Sequence, residues 1–210
     1  MTDSVETKEK IVKAAMELYR CEGCKRVTMD QIASQLHISK RTLYAMFATK
    51  EDLLSACLDE VHKEIGSSFC KLTSQVEEPM LLALYLMRNT VVINHRYGTM
   101  LCDIERYYPQ IHTEFHKVHS NVFRTGVLQT LKEAQERNLL RPNVNLEEIS
   151  DLMTSFMHKD HTMPQHEKEA YMRKVNEMAF TFFRGLMTVE AIQLYDSQEE
   201  RFKEITNNTI

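Results

Sequence analysis

Three groups of residues in this 210-residue chain have side-chain types and spacings that could do chemistry. The first is Ser39-Lys40-Arg41-Thr42 with Tyr44, which gathers hydroxyls, an ammonium, a guanidinium and a phenol in one short stretch. Such groups donate hydrogen bonds to phosphate oxygens, and an arginine can also bridge the two acceptors of a guanine edge. The second is His112, His116 and His119, spaced i, i+4 and i+7. On a helix that spacing puts the imidazoles on one face, from which they could ligate zinc, line a ligand pocket, or form a semi-exposed polar flank. The third is Cys21-Glu22-Gly23-Cys24, a lone C-x-x-C. Zinc would require two further ligands nearby and none is evident, so the expectation is no metal centre and no cofactor. Gly-rich phosphate loops, G-x-S-x-G and H-E-x-x-H are absent, so the chain reads as a binding protein and not as an enzyme.

The first group is positioned by the run VTMDQIASQLHISKRTLYAMFATKEDLL, residues 27–54. Thr28 caps a helix and Gln31, three residues on, completes a capping box. That helix runs to about Leu36 with Ile32, Ala33 and Leu36 on one face, and His37-Ile38 breaks it. Ser39 caps a second helix whose Leu43 and Phe47 read as core, and Thr49 caps a third, with Asp52 placed to reach back to it. Two short helices joined by a tight turn form a helix-turn-helix, whose second helix can enter the major groove of DNA. Ser39, Lys40, Arg41, Thr42 and Tyr44 are the residues predicted to touch DNA, with Thr28 and Lys50 as phosphate clamps.

The run Ile38 to Tyr44, then Phe47 and Lys50-Glu51-Asp52-Leu53, resembles the signature of tetracycline-repressor-like (TetR) transcriptional regulators. Thr28-Met29, Ile32-Ala33 and the upstream Gly23 fit the same pattern, and the resemblance covers roughly residues 7 to 55. It implies an all-helical protein of about nine helices, a homodimer built from its last two helices, double-stranded operator DNA as partner, and an unknown small-molecule effector in the body. His37 stands where the family usually has Gly, a position that tends to need a left-handed backbone. Cys24 falls where the family usually has a buried aromatic, so it reads as core.

Charge and periodicity extend this picture beyond the head. The net charge is -4, but residues 1–50 hold 9 basic and 6 acidic side chains, a net of +3, on an otherwise acidic chain. A basic head on an acidic body suits a DNA reader with a separate ligand or partner domain, drawn here as 1–50 and 51–210. With 43% hydrophobic residues, a polar start and no apolar run near membrane-spanning length, the expectation is a cytoplasmic protein. Residues 1–6 read as frayed. Amphipathic helices are predicted from Thr7 to about Cys21 and from Thr49 to about Cys70 with loosening at Gly66-Ser67-Ser68, and a central helix, apolar on most sides, from Pro79 to about Arg96. After a break at Tyr97-Gly98, further helices follow at 99–107, 109–137, 146–159 and 167–194.

Ile111, Phe115, Val118 and Val122 read as the buried stripe of the helix that carries the histidines. Met87, Met100 and Met153, with His112, His116 and His119, are candidates for the walls of a ligand pocket, because methionine adapts to irregular shapes. The final helix has two apolar stripes, which suggests a subunit contact or complete burial; Met178, Phe182, Phe183 and Leu186 on it, with Phe156 on the helix before it, are the interface candidates. The function expected is a repressor that leaves a palindromic operator when an apolar or amphipathic ligand binds. The competing expectation is an adaptor whose body binds a protein and no small molecule.

Overall fold

The computed structural model describes residues 2–156, 174, 177–178 and 181–197. Seven helices are defined: α1 (Thr2–Glu22), α2 (Met29–Gln35), α3 (Lys40–Met46), α4 (Lys50–Gln75), α5 (Pro79–Tyr107), α6 (Pro109–Glu136) and α7 (Leu146–Phe156). Two further helical stretches, α8 (181–186) and α9 (189–197), follow. The protein is all-helical: among the described residues the sole β-type pairing is an isolated bridge between Leu140 and Met187. Among the described residues these make nine helical stretches, in line with the expected number, but the divisions differ. Residues 79–107 form one helix instead of two, and the predicted 167–194 helix is interrupted at Met187-Thr188.

Both differences trace to contacts with parts of the chain distant in sequence. Tyr97 and Gly98 are buried, and the Tyr97 hydroxyl donates to Glu64 of α4 at 2.5 Å. A lone glycine costs a helix only about 1 kcal/mol relative to alanine, less than such contacts return. The late break is made by the loop after α6. Thr188 N–H donates to Leu139 O at 2.9 Å and Arg141 N–H donates to Leu186 O at 2.9 Å. Thr188 Oγ1 then accepts from Ala191 N–H at 3.2 Å and caps α9. Thr188-Val189-Glu190, a capping residue followed by an acid in the first turn, was the sequence signal for it. The loosening expected at Gly66-Ser67-Ser68 is also absent, since α4 runs unbroken to Gln75. The fraying expected over residues 1–6 gives way to α1, which is helical from Thr2, with Lys10 paired to Glu6 at 2.7 Å.

The chain divides into two compact units, residues 1–65 with 96–118, and residues 66–95 with 119–210. The first unit therefore holds the start of α4 and the end of α5 along with the head, a different partition from 1–50 and 51–210. Its interior includes Ile11, Ala15, Tyr19, Ile32, Leu43, Leu53, Leu54 and Ile104, each 0% exposed. The second unit is built around Leu72, Met80, Phe123, Leu131, Met153 and Phe183. The buried face of α6 is Phe115, His119, Phe123, Val127 and Leu131, whereas Val118 and Val122 are 52% and 65% exposed. The expected stripe was thus turned by about one residue, because a histidine occupies one position of the true one.

Candidate nucleic-acid interface

The reading head is built by three helix caps, two of them reciprocal. Thr28 N–H donates to Gln31 Oε1 at 2.7 Å and Gln31 N–H to Thr28 Oγ1 at 3.2 Å, so the start of α2 is closed by a capping box. Ser39 Oγ accepts from Thr42 N–H at 3.0 Å and starts α3. Thr49 N–H donates to Asp52 Oδ2 at 2.9 Å while Asp52 N–H donates to Thr49 Oγ1 at 3.0 Å, which starts α4. Between α2 and α3 the backbone turns at His37, whose φ of 53° lies in the left-handed region. His37 and Ile38 amides return to Ser34 O and Ala33 O at 3.1 and 3.0 Å, so the turn is tight and fully bonded.

This geometry buries Leu43 and Phe47 beneath α3 and leaves Ser39, Lys40, Arg41 and Tyr44 on the outside. Tyr44 is 47% exposed, so its ring as well as its hydroxyl is presented. Thr42 is half-buried, its hydroxyl 2.8 Å from that of Ser39. Lys40 Nζ pairs with Asp30 of α2 at 2.6 Å, which raises its pKa through that hydrogen bond. Both partners are more than half exposed, so the pair contributes little and can be exchanged for a phosphate. Lys8 lies with its ammonium 5.2 Å from the Phe47 ring centroid, at the far end of α3.

Lys50 is different. Its ammonium points inward and donates to Val27 O at 2.6 Å and to Cys24 O, and burial lowers its pKa. This lysine closes the 23–28 turn from below, and that inward aim departs from the phosphate clamp expected of it. Cys24 is fully buried, and burial pushes its thiol up to about 12. The C-x-x-C therefore pairs an exposed Cys21 with a core Cys24.

The pocket candidates are divided between the two units. Met100, His112 and His116 belong to the first unit, and Met87, His119 and Met153 to the second. His112 and His116 rings are 4.0 Å apart, and His62 of α4 stacks on Phe115 at 4.5 Å. Met100 and Met153 are core side chains, at 0% and 1% exposure. An open cavity of about 630 Å³ does exist in the second unit, but other residues line it: Phe69, Val76, Pro79 and Leu82 with Glu77, Gln129, Glu133 and Arg137. Among the described residues no three His, Cys, Asp or Glu side chains are grouped to hold a metal. Of the interface candidates, Phe183 is wholly buried, while Met178 is 49% exposed and Phe182 and Leu186 are half-buried on one face of α8. Phe156 ends α7.

Residues 11–57 match the family described as bacterial regulatory proteins, tetR family. The helix-turn-helix head is of the TetR type. A transcriptional regulator of the helix-turn-helix type from Saccharopolyspora erythraea is 36% identical over 64 residues, 30% of this chain and 27% of that relative. The match thus spans about a quarter of the relative's length. A TetR transcription regulator from Haloarcula marismortui has the same fold, with a TM-score of 0.77 at 15% identity, over 90% of this chain and 100% of that one. A gamma-butyrolactone receptor aligns with a TM-score of 0.63 at 15% identity, over 96% of this chain and 98% of that one. The TetR assignment accounts for the geometry of the head: capped α2, left-handed turn, and an α3 whose first turn is polar and exposed. No described helix is long and apolar enough to cross a membrane.

Proposed function

We propose that this TetR-family DNA-binding regulator is a homodimeric repressor of a palindromic operator, released by an amphipathic small molecule. DNA reading is assigned to residues 1–50, and effector binding and dimerisation to 51–210. The observation that carries the reading is α3. Ser39, Lys40 and Arg41 stand exposed at its N-terminal end, where a recognition helix meets phosphates and base edges. Arg41 is the candidate for a guanine edge, Thr28 and Tyr44 for backbone phosphates. A second copy is supported by the apolar face of α8, where Met178, Phe182, Gly185 and Leu186 surround a shallow depression. An effector is supported by the cavity in the second unit, whose volume falls in the range of small-molecule sites and whose lining combines apolar with charged side chains. The solved neighbour described as a gamma-butyrolactone receptor fits the same idea.

Selection from a random double-stranded library tests the DNA half of this reading. Enrichment of a two-fold symmetric sequence is expected, and recovery of no sequence preference would contradict it. A ligand-library thermal shift tests the other half. A compound that raises the melting temperature and weakens operator binding is expected, because it must favour one conformation over the other. A melting shift that appears only with a protein partner would favour an adaptor.

A further inference from the structure

The five residues between the C-terminal end of α1 and the cap of α2 carry more ties than a short connection needs. Gly23 ends α1 with φ of 84°, its amide donating to Tyr19 O at 3.0 Å. The space beside it is taken: a Cβ built on Gly23 would overlap the carboxylate of Asp103 on α5. That same carboxylate accepts from the Lys25 backbone N–H through Oδ2 at 3.0 Å. Around it, Cys24 Sγ lies 3.5 Å from Met100 O, and the Lys25 ammonium sits 4.3 Å over the Tyr107 ring. From the other side Lys50 donates to Cys24 O and Val27 O. All of these residues belong to the first compact unit.

We infer that Asp103 is a positioning residue for DNA reading: it seats the 23–27 turn, and with it α2 and the recognition helix, against the last turns of α5. A backbone amide bonded to a carboxylate is a charge-assisted contact with a fixed direction, and the close approach requires the glycine. Thr28 follows the turn and caps α2, so the turn's placement sets where α2 begins. A salt bridge between flexible side chains would leave that entry loose. A carboxylate held at the helix-ending glycine and at the next-but-one amide does not. The consequence rests on the proposed two-fold dimer. The joint fixes where the recognition helix stands relative to α5 within each first unit, and the operator's half-site spacing is read through that placement.

The test uses the full chain and the operator selected by the wild type, with copies whose half-sites are moved closer or apart by a single base pair. Asp103→Leu removes the acceptor, while Asp103→Asn keeps an oxygen for the Lys25 amide. Asp103→Leu is expected to bind the selected operator roughly tenfold more weakly and to lose its preference among spacings. Its dependence on salt should not change, because the phosphate contacts are elsewhere. Asp103→Asn should restore both affinity and spacing preference. Should the leucine variant not fold, Asp103→Ser takes its place, since it is too short to reach the amide. A folded variant without the acceptor that keeps wild-type spacing preference would overturn the inference, as would an asparagine variant as defective as leucine. A wild type that selects no DNA would instead overturn the DNA-reading proposal beneath it.

Discussion

At the residue scale the head separates two lysines that the sequence could not tell apart. Lys40 is exposed and paired with Asp30, whereas Lys50 is turned under the 23–28 turn to donate to Val27 and Cys24 carbonyls. Lys40→Ala should leave the melting temperature within error and weaken binding to all sequences, with a shallower salt dependence. Lys50→Ala should instead cost about 1–3 kcal/mol of stability, because two carbonyls lose their donor, and chemical denaturation reads this directly. Arg41→Ala should relax sequence preference at one operator position and cost roughly 1–3 kcal/mol of affinity, visible in competition with single-base variants. Histidine supplies a pH prediction. Burial holds His62 below the ordinary imidazole value of 6.5, with Asp59 pulling the other way. The unfolded chain therefore takes up the proton first as pH falls through 6.5, so this contribution to stability is present above that pH and lost below it. His62→Phe keeps the stack on Phe115, and its melting temperature should fall less than the wild type's on acidification.

At the element scale, legibility followed how locally each element is determined. The caps at Thr28, Ser39 and Thr49 were readable because each depends on side chains within three residues of the position, whereas the left-handed turn at His37 was readable through the family resemblance. The unbroken α5 was not, because the weak point at Tyr97-Gly98 is held by Glu64, more than thirty positions away. The break at Met187-Thr188 was hidden for a like reason: its hydrogen bonds come from Leu139 and Arg141. Within the site, the outward set of α3 was legible from the burial pattern of Leu43 and Phe47, but the inward aim of Lys50 was not. Its partners are backbone carbonyls, which leave no mark in a sequence. Gly66 gives this scale its prediction. It lies within α4, and a Cβ added there meets nothing within 4 Å. Gly66→Ala should stabilise the chain by about 0.5–1 kcal/mol, measured as a higher denaturation midpoint at unchanged slope.

At the scale of the whole molecule the proposal needs two copies. Phe182 and Phe183 are neighbours in sequence with ring centroids 5.9 Å apart, yet Phe183 is sealed in the core and Phe182 faces the α8 surface. Phe182→Asp should therefore yield folded monomers in sedimentation, while Phe183→Asp should fail to fold, because its charge would be buried without a partner. Folded dimers from Phe182→Asp would move the interface elsewhere. The central claim is that two exposed α3 helices read one symmetric site, and its most direct measurement is the stoichiometry and footprint of the complex with the selected operator. The account predicts two chains per duplex and two protected half-sites on one face, about 10 base pairs or a multiple of that apart. One chain per duplex, or protection that ignores the sequence, would contradict it.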